Sequence, residues 1–173
     1  MELKVEMFVD GSIMVHESVF RKVFNNRGFS LGELMAAMGV FAILAAIAVP
    51  QYLASQPARR LNGGARQILA KLMWARAEAV EKNTTYVVTF PTNHTYQIFN
   101  DTNGNSSVDV GEWNQTNDIQ TQYEDVTFAV SGSTNYPTFN GRGTASNDTT
   151  ITLSNSSGNV VVQVRPTGSV KIN

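Results

Sequence analysis

Arg27-Gly28-Phe29-Ser30-Leu31-Gly32-Glu33 leads without a break into Leu34-Met35-Ala36-Ala37-Met38-Gly39-Val40-Phe41-Ala42-Ile43-Leu44-Ala45-Ala46-Ile47-Ala48-Val49. The 21 residues from Phe29 to Val49 make a helix of roughly 32 Å at about 1.5 Å per residue, long enough to cross a bilayer. One carboxylate, Glu33, sits near the start of this otherwise apolar run. An ionised side chain inside a membrane costs roughly 2.5 to 3.5 kcal/mol even on lenient insertion scales, so it requires a partner or a purpose. A plain signal anchor or a buried core helix accounts for the length and leaves Glu33 unexplained. A secretory signal peptide cut after Ala46-Ile47-Ala48 would have an unusually long charged region containing acids. The chain has no cysteine to carry a lipid anchor.

Gly28 followed by Phe29, a glutamate five residues beyond the glycine, an apolar run closing Ala46-Ile47-Ala48-Val49-Pro50, and then Tyr52 together resemble the N-terminus of type IV prepilins and of type II secretion pseudopilins. The resemblance implies a leader, residues 1–28, removed by a prepilin peptidase between Gly28 and Phe29, with the new Phe29 amino group methylated. It implies that Glu33 pairs with the Phe29 amino group of a neighbouring subunit and that Pro50 closes the assembly helix. Its partners would be other pilins or pseudopilins in a helical filament, the peptidase, an inner-membrane assembly platform, and membrane lipid before assembly. Physics agrees with the pairing, because opposite charges attract far more strongly in a low-dielectric bundle than in water and offset each other's burial. The chain departs from the family at Gly32, where a large aliphatic is usual; with Gly39 it thins the packing surface and is expected to loosen the helix.

Removal of residues 1–28 from the 173 leaves 145, one modest domain with its membrane helix. Four basic and four acidic residues go with the leader, so the remainder stays at net charge −1, with no bulk basic charge to draw nucleic acid or anionic lipid. The absence of cysteine excludes disulfides and thiolate metal sites. Within the leader, acids crowd the first half and Arg21, Lys22 and Arg27 the second, a bias that keeps this end cytoplasmic. The uneven charge leaves translation starts at Met7 or Met14 open beside Met1. Either way the protein is read as a single-pass inner-membrane protein with its C-terminal domain periplasmic or extracellular.

Pro50 and Pro57 each remove a backbone donor and predict a kink or break between Val49 and Ala58. From Ala58 to about Lys82, Leu61, Ala65, Ile68, Leu72, Ala75 and Ala79 recur at three- and four-residue steps, the mark of an amphipathic helix packed on a sheet. Gly63-Gly64 is its weakest point, read either as a close-packing spot or as a hinge. The chain thus divides into a membrane and filament-core helix over 29–52, an amphipathic half over 53–82 and a β-rich domain over 83–173. Strands are predicted at 85–90, 95–99, 126–130, 149–153, 160–165 and 169–172, the first two forming a hairpin about Pro91 to His94. The fold class is α+β, a long N-terminal helix packed on an antiparallel β-sheet. The run Phe139-Asn140-Gly141-Arg142-Gly143-Thr144-Ala145, with Ile151-Thr152-Leu153, 160–164 and the closing Gly168-Ser169-Val170-Lys171-Ile172, resembles the GspH/FimT-type pseudopilins and minor pilins. That implies a non-enzymatic minor subunit which primes or caps a filament.

One loop carries its own chemistry. Asp101, Asn103, Asn105, Ser107, Asp109 and Glu112 stand at positions 1, 3, 5, 7, 9 and 12 of a twelve-residue stretch, the spacing by which an EF-hand wraps calcium. Ser106 replaces the usual glycine, and two asparagines replace carboxylates, so weak affinity is expected. The same residues equally make an Asx-rich solvated turn. His94, in a turn, has no cysteine or second histidine beside it in the mature chain, so no catalytic or metal apparatus is visible. Sequons such as Asn83 and Asn93 read as polar composition. Arg142, Arg165 and Lys171 offer a small basic patch and hence the alternative of a DNA-binding minor pilin for uptake or adhesion, although no aromatics interleave them.

Overall fold

The computed structural model describes residues 28–132 and 136–173. The leader up to Arg27 and the alternative starts at Met7 and Met14 lie outside the described residues. The chain divides into two compact units, residues 1–47 and 48–173.

Helix α1 runs from Leu31 to Glu81 and holds Pro50 and Pro57 inside it. Of the expected kink or break between Val49 and Ala58, the break does not occur, nor does Gly32 or Gly39 interrupt the helix. Each proline deletes a single donor, and the turns on either side still bond. Around Pro57 the helix is also tied from outside. Asn155 donates its side-chain amide to the Pro57 carbonyl at 2.7 Å, and Arg60 reaches Asp125 at 2.8 Å and Glu124 at 3.2 Å. The first buried residue of the described chain is Leu61; from there Ala65, Ile68, Leu72, Ala75 and Ala79 all face the core, as their spacing predicts.

Two four-stranded antiparallel sheets stand where a single sheet was expected. The first has the order β3-β2-β1-β5, with β1 at Thr85–Thr89, β2 at Thr95–Asp101, β3 at Asn114–Asp118 and β5 at Thr138–Phe139. The second has the order β4-β6-β7-β8, with β4 at Thr127–Gly132, β6 at Thr149–Asn155, β7 at Gly158–Val164 and β8 at Val170–Ile172. Both give side chains to one core with α1: Tyr86, Val88, Tyr96 and Ile98 from the first sheet, Phe128, Ile151, Leu153, Val162 and Val164 from the second. β1 and β2 form the predicted hairpin, with Val88 opposite Ile98. β6 and β7 close through Asn155 opposite Gly158.

The Gly63-Gly64 pair is a close-packing point. A Cβ at Gly63 would lie 2.6 Å from the Tyr123 ring, and one at Gly64 would lie 3.3 to 3.5 Å from Ile119, Val126 and Leu153. Two small residues let the helix backbone settle onto the second sheet and the short 3-10 turn Ile119–Thr121. Trp74 packs edge-on to Tyr86 and beside Trp113, whereas Met73 stays exposed.

Candidate functional site

The N-terminal site is built from the first turn of α1. Gly28 and Phe29 precede the helix, Phe29 fully open to solvent, and nothing crowds Gly28 within 4 Å. The Glu33 amide donates to the Ser30 hydroxyl at 3.2 Å, and the Ser30 amide donates to Glu33 Oε2 at 2.9 Å. This reciprocal pair is a capping box, which satisfies two of the orphan amides at a helix start. The spacing Ser30-x-x-Glu33 alone identifies it, a signal that is easily passed over when Glu33 is weighed only as a charge in a membrane. Ser30 thus joins Glu33 in capping the helix start. Beyond it, Leu34, Met35, Met38, Phe41, Ile43, Leu44, Ile47, Val49 and Leu53 are all exposed, and the helix is long and apolar enough to cross a membrane.

The 101–112 loop is held by its own hydrogen bonds. Asp101 is buried and accepts from the backbone amides of Gly104, Asn105 and Ser106 at 2.7, 3.1 and 2.9 Å. Asp109 accepts from the side-chain amides of Asn103 and Asn105, each at 2.7 Å, and these bonds hold its carboxyl below the usual range. Glu112 is also lowered, chiefly by the Thr102 amide donating to it at 2.8 Å. Asn105 Oδ1 takes the Ser107 amide at 2.8 Å, and Ser106, where an EF-hand places glycine, adopts a left-handed φ of 59°. Among the described residues no three His, Cys, Asp or Glu side chains are grouped to hold a metal ion. The six oxygen-bearing residues share one loop, and N–H groups donate to side-chain oxygens of Asp101, Asn103, Asn105, Asp109 and Glu112.

Arg142 and Arg165 occupy two exposed turns that meet at Gly143 and Gly168, where Arg76 donates to the Gly143 carbonyl at 2.7 Å. Lys171 lies on β8 opposite Gln163. His94 sits in the β1–β2 turn, its Nδ1 3.2 Å from Asp118.

Residues 64–168 match the family described as Type II transport protein GspH, and residues 23–49 match the prokaryotic N-terminal methylation motif. The chain belongs to the GspH family. Among solved structures, the type IV minor pilin FimU of Pseudomonas aeruginosa is similar at a TM-score of 0.53 and 16% identity, over 67% of this chain and 90% of that one. The minor pseudopilin EpsH of the type 2 secretion system of Vibrio cholerae is similar at a TM-score of 0.52 and 10% identity, over 66% and 96%. These likenesses confirm the pilin fold. No curated protein matches the chain by sequence. As a GspH-family protein with a methylation-motif helix, it is a membrane-anchored structural subunit of the minor-pseudopilin and minor-pilin kind, and this family assembles with other pilins into filaments. The DNA-binding alternative gains no support from the family or the fold.

Proposed function

We propose that this GspH-family protein is a prepilin processed between Gly28 and Phe29, methylated at the Phe29 amino group, and docked into a filament through Glu33. The observation that carries the reading is the match of the methylation motif to residues 23–49, which encloses Gly28, Phe29 and Glu33 in one short, solvent-exposed stretch. Before assembly, residues 29–49 hold the subunit in the inner membrane, with the β domain on the periplasmic or extracellular side. On docking, the Glu33 carboxylate turns from the Ser30 amide to the charged amino group of a neighbour's Phe29. Burying one charge without the other costs several kcal/mol, so the pair fixes the axial register of neighbouring helices. A prepilin peptidase and an inner-membrane assembly platform are the machinery this life cycle requires. Minor status, as a primer or cap, follows the GspH-type β domain.

Mass spectrometry of the protein extracted from membranes tests the processing step. An N-terminus at Phe29 bearing one added methyl is the expected result; an intact leader, or a cut after Ala48, refutes it.

A further inference from the structure

The stretch between the apolar span and the packed domain carries a second feature. Tyr52 and Arg59 are seven residues apart, two turns of α1, and therefore share one face. Both are exposed, and the Arg59 guanidinium lies 5.7 Å from the centre of the Tyr52 ring. Side chains on a helix lean toward its N-terminus, so the guanidinium is carried back along α1 in the direction of the apolar span. Arg60, the next residue, is consumed by Glu124 and Asp125. Among the described residues no carboxylate pairs with Arg59, which rests instead against the aromatic ring.

Tyr52 lies three residues past Val49, about 4.5 Å along the helix. The polar layer on each face of a bilayer is roughly 5 to 8 Å thick, so the ring and the guanidinium above it fall at the depth of the headgroups. Tyrosine is enriched at that depth because its ring is apolar and its hydroxyl is wet. A guanidinium presents a planar fork of donors matched to phosphate oxygens. We propose that Tyr52 and Arg59 form a headgroup clamp, in which Arg59, held over the Tyr52 ring, grips the phosphate of one phospholipid while the subunit is parked in the membrane. The clamp rests on the membrane-parked state proposed above. It fixes how deep the helix sits, and it must let go when the subunit is extracted.

The test uses the full chain reconstituted into vesicles of phosphatidylethanolamine and phosphatidylglycerol, then released in mild detergent for native mass spectrometry of the lipid it retains. Wild type keeps bound phospholipid, and Arg59→Gln keeps about fivefold less, the factor for one basic residue at an anionic surface. Arg59→Lys falls between, since a point charge replaces the fork. Arg66→Gln, one basic residue further from the span on an exposed position, behaves as wild type, and inorganic phosphate does not displace the lipid. Equal retention by wild type and Arg59→Gln overturns the clamp, as does an equal loss in Arg66→Gln, which would mean diffuse attraction. Displacement by inorganic phosphate overturns the lipid assignment. If the chain does not float with the vesicles at all, the anchoring reading fails, and the clamp with it. An unchanged melting temperature for Arg59→Gln shows that the fold is intact.

Discussion

At the scale of single residues, Glu33 caps its helix and is proposed to pair with a neighbour's Phe29 amino group, two roles that substitution can separate. Glutamine at the third helical position still reaches back to the Ser30 amide, so Glu33→Gln preserves the capping box while removing the charge. Glu33→Gln is therefore expected to be cleaved and methylated normally yet to assemble poorly, losing about 3–5 kcal/mol of docking energy, the usual cost of deleting one member of a buried ion pair. Measuring processing by mass and incorporation by cross-linking into filaments checks this; normal incorporation would sink the charge-pair role. Glu33→Ala loses the cap as well and should be no better. Gly168 is a different kind of residue, required by space. Its φ is +79°, and a Cβ there would overlap the Gly143 carbonyl oxygen. Gly168→Ala combines left-handed strain with overpacking against backbone and should cost about 3 kcal/mol. Gly158→Ala, also at positive φ but in open space, should cost about 1–2 kcal/mol, from strain alone. Denaturant midpoints of the two variants decide whether crowding or conformation dominates.

At the scale of elements, legibility followed physical periodicity. The amphipathic half of α1 was readable because Leu61, Ala65, Ile68, Leu72, Ala75 and Ala79 must all face one core, and the β1–β2 hairpin because its strands are aromatic and β-branched. β3 was not, since Asn-Gln-Thr-Asn-Asp has neither alternation nor β propensity and is recruited by the free edge of β2. The continuity of α1 was hidden because the hold on Pro57 comes from Asn155, distant in sequence. The 101–112 loop showed its oxygen pattern and concealed its use. Its geometry makes an acid-lability prediction. The Asp109 and Glu112 carboxyls are held below their usual range by the Asn103, Asn105 and Thr102 donors. Their contribution is thus complete above the ordinary carboxylate range of about 4 and is lost as pH falls through the lowered values. Amide exchange at Thr102 and Asp109 should accelerate on acidification below about pH 4, beyond the intrinsic pH dependence and before the core strands open. Exchange that stays protected to the pH of global unfolding would contradict this. Repeating the measurement, with melting curves, in millimolar calcium separates the two readings of the loop. A calcium-dependent rise in melting temperature assigns it an ion, and an unchanged curve leaves it an Asx-rich turn.

At the scale of the whole molecule, the proposed function assigns assembly to one stretch of α1 and leaves stability to another. No described residue before Leu61 is buried, and the core draws on α1 only from Leu61 to Ala79. Apolar surface left in water contributes nothing to folding, so the span at 29–49 should be dispensable for the fold and needed for insertion and docking. A chain beginning at Ala54 keeps Pro57, Arg60 and Leu61 with their partners Asn155, Asp125, Glu124 and the core. It is expected to fold without detergent and to melt within a degree or two of the full chain. Beginning at Asn62 removes the Pro57 carbonyl, the Arg60 pairs and the buried Leu61 together. Loss of a buried leucine alone is worth about 2 kcal/mol or more, and a domain of this size shifts by roughly 3–5 °C per kcal/mol, so the shorter chain should melt about 6 °C lower or more. Comparable melting of the two truncations would show that the collar around Pro57 adds nothing. Failure of the chain beginning at Ala54 to fold would show that the membrane half stabilises the domain as well as anchoring it.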